Sequence, residues 1–249
     1  MYWLKILVIG LMGLIVGEMM RRRLNTLTYR LAPSEVADGT TPTSDDGEVP
    51  ARTPKEPART PEDADETLLP SPGSRWWIPA IAAIAWGFIA WRCPLDAVPD
   101  QPDVTGWARL LGWLAFSAVG LAMAVIDLDV RRLPDRGQIL LAGASLFFGV
   151  LIAWGTPIRV AYGLGSALAC GLAFLLIHVL SRGGLGLGDV KLVMTCGWWL
   201  GLISLTSVFV GLMASCILAV AYSVLARQRQ FAFGPWLVAG TVIAGLYLG

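Results

Sequence analysis

The sequence predicts an all-α fold, a polytopic transmembrane helix bundle of about eight spans with its N-terminus outside. Hydrophobic residues make up 55% of the 249 and charged residues only 15%. Several apolar runs approach the ~20 residues that cross a bilayer core and lack the polar face of a surface helix. Lysine and arginine also concentrate on alternate loops, as the positive-inside rule requires.

The first span covers about 2–20. One lysine precedes its apolar stretch and Arg21-Arg22-Arg23 follow it, the reverse of a secretory signal, so residues 1–32 read as an uncleaved anchor with a basic flank. Residues 33–75 hold 10 of the 18 acids and 8 of the 15 prolines, with no aromatic before Trp76. That composition predicts a disordered cytoplasmic linker. Residues 76–249 form the transmembrane domain.

In that domain the second span, 76–91, is flanked by Trp76, Trp77 and Trp91, residues that anchor at membrane interfaces. After a loop carrying Asp96, Asp100 and Asp103 comes the third span, 106–126. A polar hinge at 127–136 leads to the fourth, 137–154. The turn Gly155-Thr156-Pro157 precedes the fifth, 159–180, and 181–191 is a glycine-rich polar loop. The apolar run 192–226 would extend ~50 Å as one helix against a ~30 Å core. It is expected to form two short helices turning near Gly201–Thr206, before a basic loop at Arg227 and Arg229 and a last span at 235–249.

Charge tests the count. With the N-terminus outside, eleven cations fall on cytoplasmic segments other than the linker, against four (Lys5, Arg92, Arg109 and Arg159) on outer ones. A single span at 192–226 would carry Arg227 and Arg229 outside, so eight spans fit better. Both polar hinges then lie on the cytoplasmic face.

A net charge of +1 gives no field to gather nucleic acid, and no nucleic-acid partner is expected. Cys93, Cys170, Cys196 and Cys216 form no CxxC pair, so neither a disulfide framework nor a zinc site is predicted. No metal or cofactor is called for.

The hinges carry the chemistry. In the first, Asp135 follows Pro134 and has Gln138 three residues on, a capping-box spacing. Asp129 reads as a solvated ion pair with Arg131 and Arg132, worth little. Asp127 ends an apolar helix, where the macrodipole disfavours an anion, and nothing local offsets that cost. In the second hinge, Gly183, Gly184, Gly186 and Gly188 allow close backbone approach. No strand precedes them, which removes a nucleotide-loop reading. Asp189 could serve as an N-cap and still present its carboxylate. The lone histidine, His178, reads as structural. Two carboxylates brought together at low dielectric share a proton, so that one acts as base on water while the other polarises a carbonyl.

The stretch 126–135, followed by Gly186-Leu187-Gly188-Asp189-Val190-Lys191-Leu192, resembles the two signature segments of the prepilin peptidases (type IV leader peptidases), GxGD-type intramembrane aspartyl proteases. Phe233-Gly234-Pro235 resembles the start of that family's last helix. The resemblance covers roughly 106–249. It implies Asp127 and Asp189 as the catalytic pair, with Gly186, Gly188, Lys191, Pro134 and Asp135 in support. It also implies type IV pilin or pseudopilin precursors as substrates, cut after the glycine of a short basic leader, at the cytoplasmic face of the bacterial inner membrane. Bifunctional members carry paired CxxC motifs after the first helix and N-methylate the product. Here that place is filled by the cysteine-free 33–75 segment, so peptidase activity without methyl transfer is expected, the bifunctional enzyme being the alternative. A presenilin-like or signal-peptide-peptidase-like protease fits less well, because no Pro-Ala-Leu triplet occurs. A transporter or secretion channel would place its acids near the midplane or at broken helices there, not at the membrane edge. The sequence leaves the oligomeric state open.

Overall fold

The computed structural model describes residues 2–26, 75–93, 103–130, 133–154, 156–181, 185–226 and 232–248. Among these, all regular structure is helical: α1 (Tyr2–Asn25), α2 (Trp77–Arg92), α3 (Asp103–Val130), α4 (Asp135–Ile152), α5 (Pro157–Leu180), α6 (Leu187–Gly201), α7 (Leu205–Ala226) and α8 (Gly234–Leu248). Of these, α1, α3, α4, α5 and α7 are long and apolar enough to cross a membrane, and α2 and α8 are shorter apolar helices. The expected polytopic helix bundle is the fold observed. Apart from Arg75, the expected linker lies outside the described residues.

The run 192–226 breaks where length required. Its helices are separated at 202–204, and the Ser204 hydroxyl accepts the Ser207 N–H at 3.1 Å, an N-cap for α7. Two expectations need correction. With 22 residues, α7 is not a short helix. The second hinge is also shorter than expected, because α6 already begins at Leu187. Gly186 is extended and accepts backbone bonds from Asp189 and Val190, so the helix starts inside the glycine-rich stretch.

Contacts at the helix ends establish the topology. At one end Lys5 of α1 donates to the carbonyl of Cys93 after α2, and Arg92 donates to Leu246 and Tyr247 at the end of α8. At the other, Arg75 before α2 donates to Leu24 of α1, Gly234 of α8 donates to Asp127 of α3, and Gln138 of α4 donates to Gly188 of α6. The two polar hinges therefore meet at one end of the bundle.

The inner element is α6, buried from Thr195 to Gly201. Trp199 stacks on Trp113 with ring centroids 4.9 Å apart and meets Phe116 edge-on. Both indole N–H groups of Trp198 and Trp199 end on Ser145, as buried indoles require. Against α5 the packing is backbone to backbone: a methyl at Gly201 would lie 2.7 Å from the Ser166 side chain and 2.8 Å from the Tyr162 carbonyl. Such small-residue contacts hold helices together where lipid removes the hydrophobic drive. Large apolar side chains such as Ile139, Phe147, Leu172, Phe209 and Leu225 point outward.

Candidate active site

Asp127 lies in the last turn of α3 and is 4% exposed. Its Oδ2 accepts the backbone N–H of Gly234 at 3.1 Å. Gly234 opens α8, so this N–H is one of the donors a helix start leaves unpaired, at that helix's positive end. Any side chain here would force Asp127 to shift, since a methyl at Gly234 would approach Asp127 Oδ2 to 2.7 Å. The sequence-level puzzle, an acid at the wrong end of its own helix, is resolved by the start of another.

Asp189 occupies the first turn of α6. The expectation that it serves as N-cap is corrected, because Gly186 holds that position and no side chain caps the helix. Asp189 instead stands at the third helical position, with its carboxylate turned back toward the backbone of Gly186. Its Oδ2 lies beside Gly186, while Oδ1 is buried with no hydrogen-bond partner. Orphaned buried polar atoms are rare in native structures.

The hinge between α3 and α4 joins the two positions. A methyl on Gly188 would lie 3.0 Å from Leu133 Cβ and 3.1 Å from Gln138 Nε2; one on Gly234 would lie 3.5 Å from Leu133 Cδ2. Leu133 thus wedges between the starts of α6 and α8. Gln138, buried in α4, donates from Nε2 to the Gly188 carbonyl at 2.9 Å, one residue before Asp189.

The sequence-predicted supporting residues gather here in unequal roles. Pro134 is the extended N-cap of α4, and its carbonyl accepts the Gln138 N–H. The capping-box expectation for Asp135 is corrected: Asp135 is the first helical residue, and the Gln138 side chain turns to α6 instead of back to its own helix. Asp135 accepts from Lys191 Nζ at 2.6 Å, with both side chains more than half exposed. Gly186 lies against the Asp189 carboxylate, whereas Gly188 makes room for Leu133 and Gln138. Asp129 is not solvated, since it pairs with Arg75 at 3.2 Å with both side chains largely covered; Arg131 and Arg132 lie outside the described residues. His178 bonds the Leu185 carbonyl and ties α5 to the α6 hinge, a structural role. All four cysteines are free, and among the described residues no His, Cys, Asp and Glu side chains cluster as a metal site.

Sequence reasoning missed Gln138, the N–H of Gly234 as partner of Asp127, and Arg75. Only Gly234-Pro235 carried a local signal, a glycine and a proline opening a helix.

Two acids held at helix ends inside an apolar bundle define a membrane protein with a candidate acid–base site. Residues 114–224, which hold both acids, match the model of the Type IV leader peptidase family. The "Prepilin leader peptidase/N-methyltransferase" of Neisseria gonorrhoeae is 30% identical over 67% of this chain and 55% of its own length. The "Type 4 prepilin-like proteins leader peptide-processing enzyme" of Escherichia coli O78:H11 is 34% identical over 58% and 53%. The chain thus spans about half the length of these two curated relatives. A further "Prepilin leader peptidase/N-methyltransferase", from Escherichia coli K12, is 31% identical over 69% of this chain and 74% of its own length. No solved structure matches the chain. The chain belongs to the type IV leader peptidase family.

Proposed function

We propose that this protein is an intramembrane aspartic endopeptidase that removes the short basic leader from type IV pilin-like precursors, with Asp127 and Asp189 as its catalytic pair. The observation that carries the reading is that the two acid-bearing hinges meet at one end of the bundle, one acid satisfied by the N–H of Gly234 and the other presenting a buried, unpartnered oxygen. Family membership and the relatives' names support the reaction and the substrate class. The concentration of Lys and Arg on the sequence segments assigned to the same membrane face as both hinges supports a cytoplasmic site in the bacterial plasma membrane.

In the proposed reaction the pair shares one proton. The ionised carboxylate takes a proton from water as its oxygen adds to the scissile carbonyl carbon; the protonated one donates to the carbonyl oxygen. Collapse of the tetrahedral diol breaks the C–N bond, and a carboxyl proton passes to the departing amine. Lys191 and Asp135 stand outside this chemistry as an exposed pair. Because the segment after α1 has no cysteine, methyl transfer is not part of the proposal.

The test is co-expression with candidate pilin precursors, followed by mass analysis of the mature N-terminus. Wild type should release a leader and leave an unmethylated N-terminus. Asp127→Asn and Asp189→Asn should each abolish release at unchanged protein level. Wild-type processing by either variant would refute the catalytic pair, and a methyl adduct that depends on this protein would refute the single activity.

A further inference from the structure

We propose that Arg75 and Asp129 form a clasp that positions Asp127, making both of them positioning residues for the reaction above, a reading on which this inference rests. Arg75 lies two residues before the start of α2 and is 4% exposed. Its Nη2 lies 3.2 Å from Asp129 Oδ2 on α3, and its Nη1 donates to the Leu24 carbonyl on α1 at 3.1 Å. That carbonyl belongs to the last turn of α1, where helix carbonyls lack a partner of their own. One guanidinium thus ties the ends of three helices, a task that suits its rigid fork and not the single point charge of a lysine.

The clasp rests on a separate small apolar cluster of Leu24, Ile78 and Val125, with Trp77 and Ile126 packed against it. The two side chains are 5% and 13% exposed, so breaking the pair removes a charge–charge contact from a largely covered place, where it matters more than at the surface. An exposed pair such as Lys191–Asp135 has no such consequence.

Geometry links the clasp to the candidate site. At ~100° per residue, Asp127 and Asp129 leave nearly opposite sides of the last turn of α3. One side is held by Gly234 of α8 and the other by Arg75. That turn would otherwise end in unpaired carbonyls. With a carboxylate ~5–6 Å from the helix axis, a rotation of ~10° carries it ~1 Å. Reacting groups must be held to within ~0.5 Å, and a ~1 Å error costs ~100-fold in rate.

The experiment uses the full chain, purified in detergent, and the pilin precursor that wild type cleaves in the co-expression test. Asp129→Asn and Arg75→Lys should each lower kcat by about 10- to 100-fold with KM nearly unchanged. Arg75→Gln combined with Asp129→Asn should lower it no further than the worse single change, because the pair acts as one unit. Asp129→Glu keeps the charge and lengthens the arm by one methylene. It covers the case in which the neutral variants fail to fold, and should still lower kcat about fivefold or more. Monodisperse Asp129→Asn or Asp129→Glu protein with kcat within about twofold of wild type, or losses that add in the double variant, would overturn the clasp. Asp127→Asn is assayed beside them. If it cleaves normally, the catalytic pair itself fails; if it is inactive while the clasp variants are normal, only the clasp fails.

Discussion

The contact between Gly234 and Asp127 offers the sharpest perturbation, a single methyl. In Gly234→Ala the new Cβ would lie 2.7 Å from Asp127 Oδ2 and 3.4 Å from its Cγ. Ordinary van der Waals contact begins near 3.4 Å, so the carboxylate oxygen must retreat by about 0.7 Å. It has little freedom to do so, being buried at the end of α3. The same retreat stretches the 3.1 Å bond from the Gly234 N–H. A hydrogen bond to a charged group contributes about 1.5–3 kcal/mol, and each ~1.4 kcal/mol is tenfold in rate, so complete loss would cost about 10- to 150-fold. The positional argument agrees, since ~1 Å of misplacement costs ~100-fold. We therefore expect kcat for precursor cleavage to fall about 10- to 100-fold, with a gel-filtration profile like that of wild type. Gly143→Ala is the matched control: nothing lies within 4 Å of a methyl there, and alanine favours a helix over glycine by up to about 1 kcal/mol. Cleavage by Gly234→Ala within about twofold of the control would refute the claim that Gly234 holds Asp127 in its working position.

Gln138→Leu removes the bond to the Gly188 carbonyl while nearly keeping the volume. The carbonyl loses a neutral hydrogen bond of about 1 kcal/mol, so cleavage by the purified variant should fall roughly five- to tenfold, and an unchanged rate would remove Gln138 from the site's support. Lys191→Ala should alter cleavage and thermal midpoint little, because an exposed pair contributes at most about 1 kcal/mol; a large drop in kcat would restore Lys191 to the chemistry.

The spans were legible because bilayer thickness acts on run length alone. The break in 192–226 followed from arithmetic, and the structure makes it at 202–204. What the sequence hid depends on partners far along the chain. Gln138 sits at capping-box spacing from Asp135, yet its side chain spends its donor 50 residues away on Gly188. Asp129 has two arginines as near neighbours in sequence, yet it also pairs with Arg75, 54 residues away in the chain. The glycine run read as a loop, because glycine is a poor helix former in isolation. Its last member, Gly188, instead winds into α6, where Leu133 and Gln138 leave no room for a side chain.

Asp127 shows how far a local electrostatic reading can mislead. Taken along its own helix, it stands at the negative end and has no compensation. In space it stands at the positive end of α8, accepting the first N–H of that helix across 107 residues. Asp189 stands in the first turn of α6, also a positive end. Both acids therefore occupy helix N-termini, one by sequence and one by docking. For the proposed pair, two N-terminal fields would stabilise a single shared negative charge, the state such an acid–base pair needs before it meets substrate. Such fields are strongest where a bare backbone approaches the carboxylate, which gives a reason for glycine at 234 and 186 that does not depend on loop flexibility. An acid at the C-terminal end of an apolar helix is then explained by a later helix that begins with glycine and ends its first N–H on that acid.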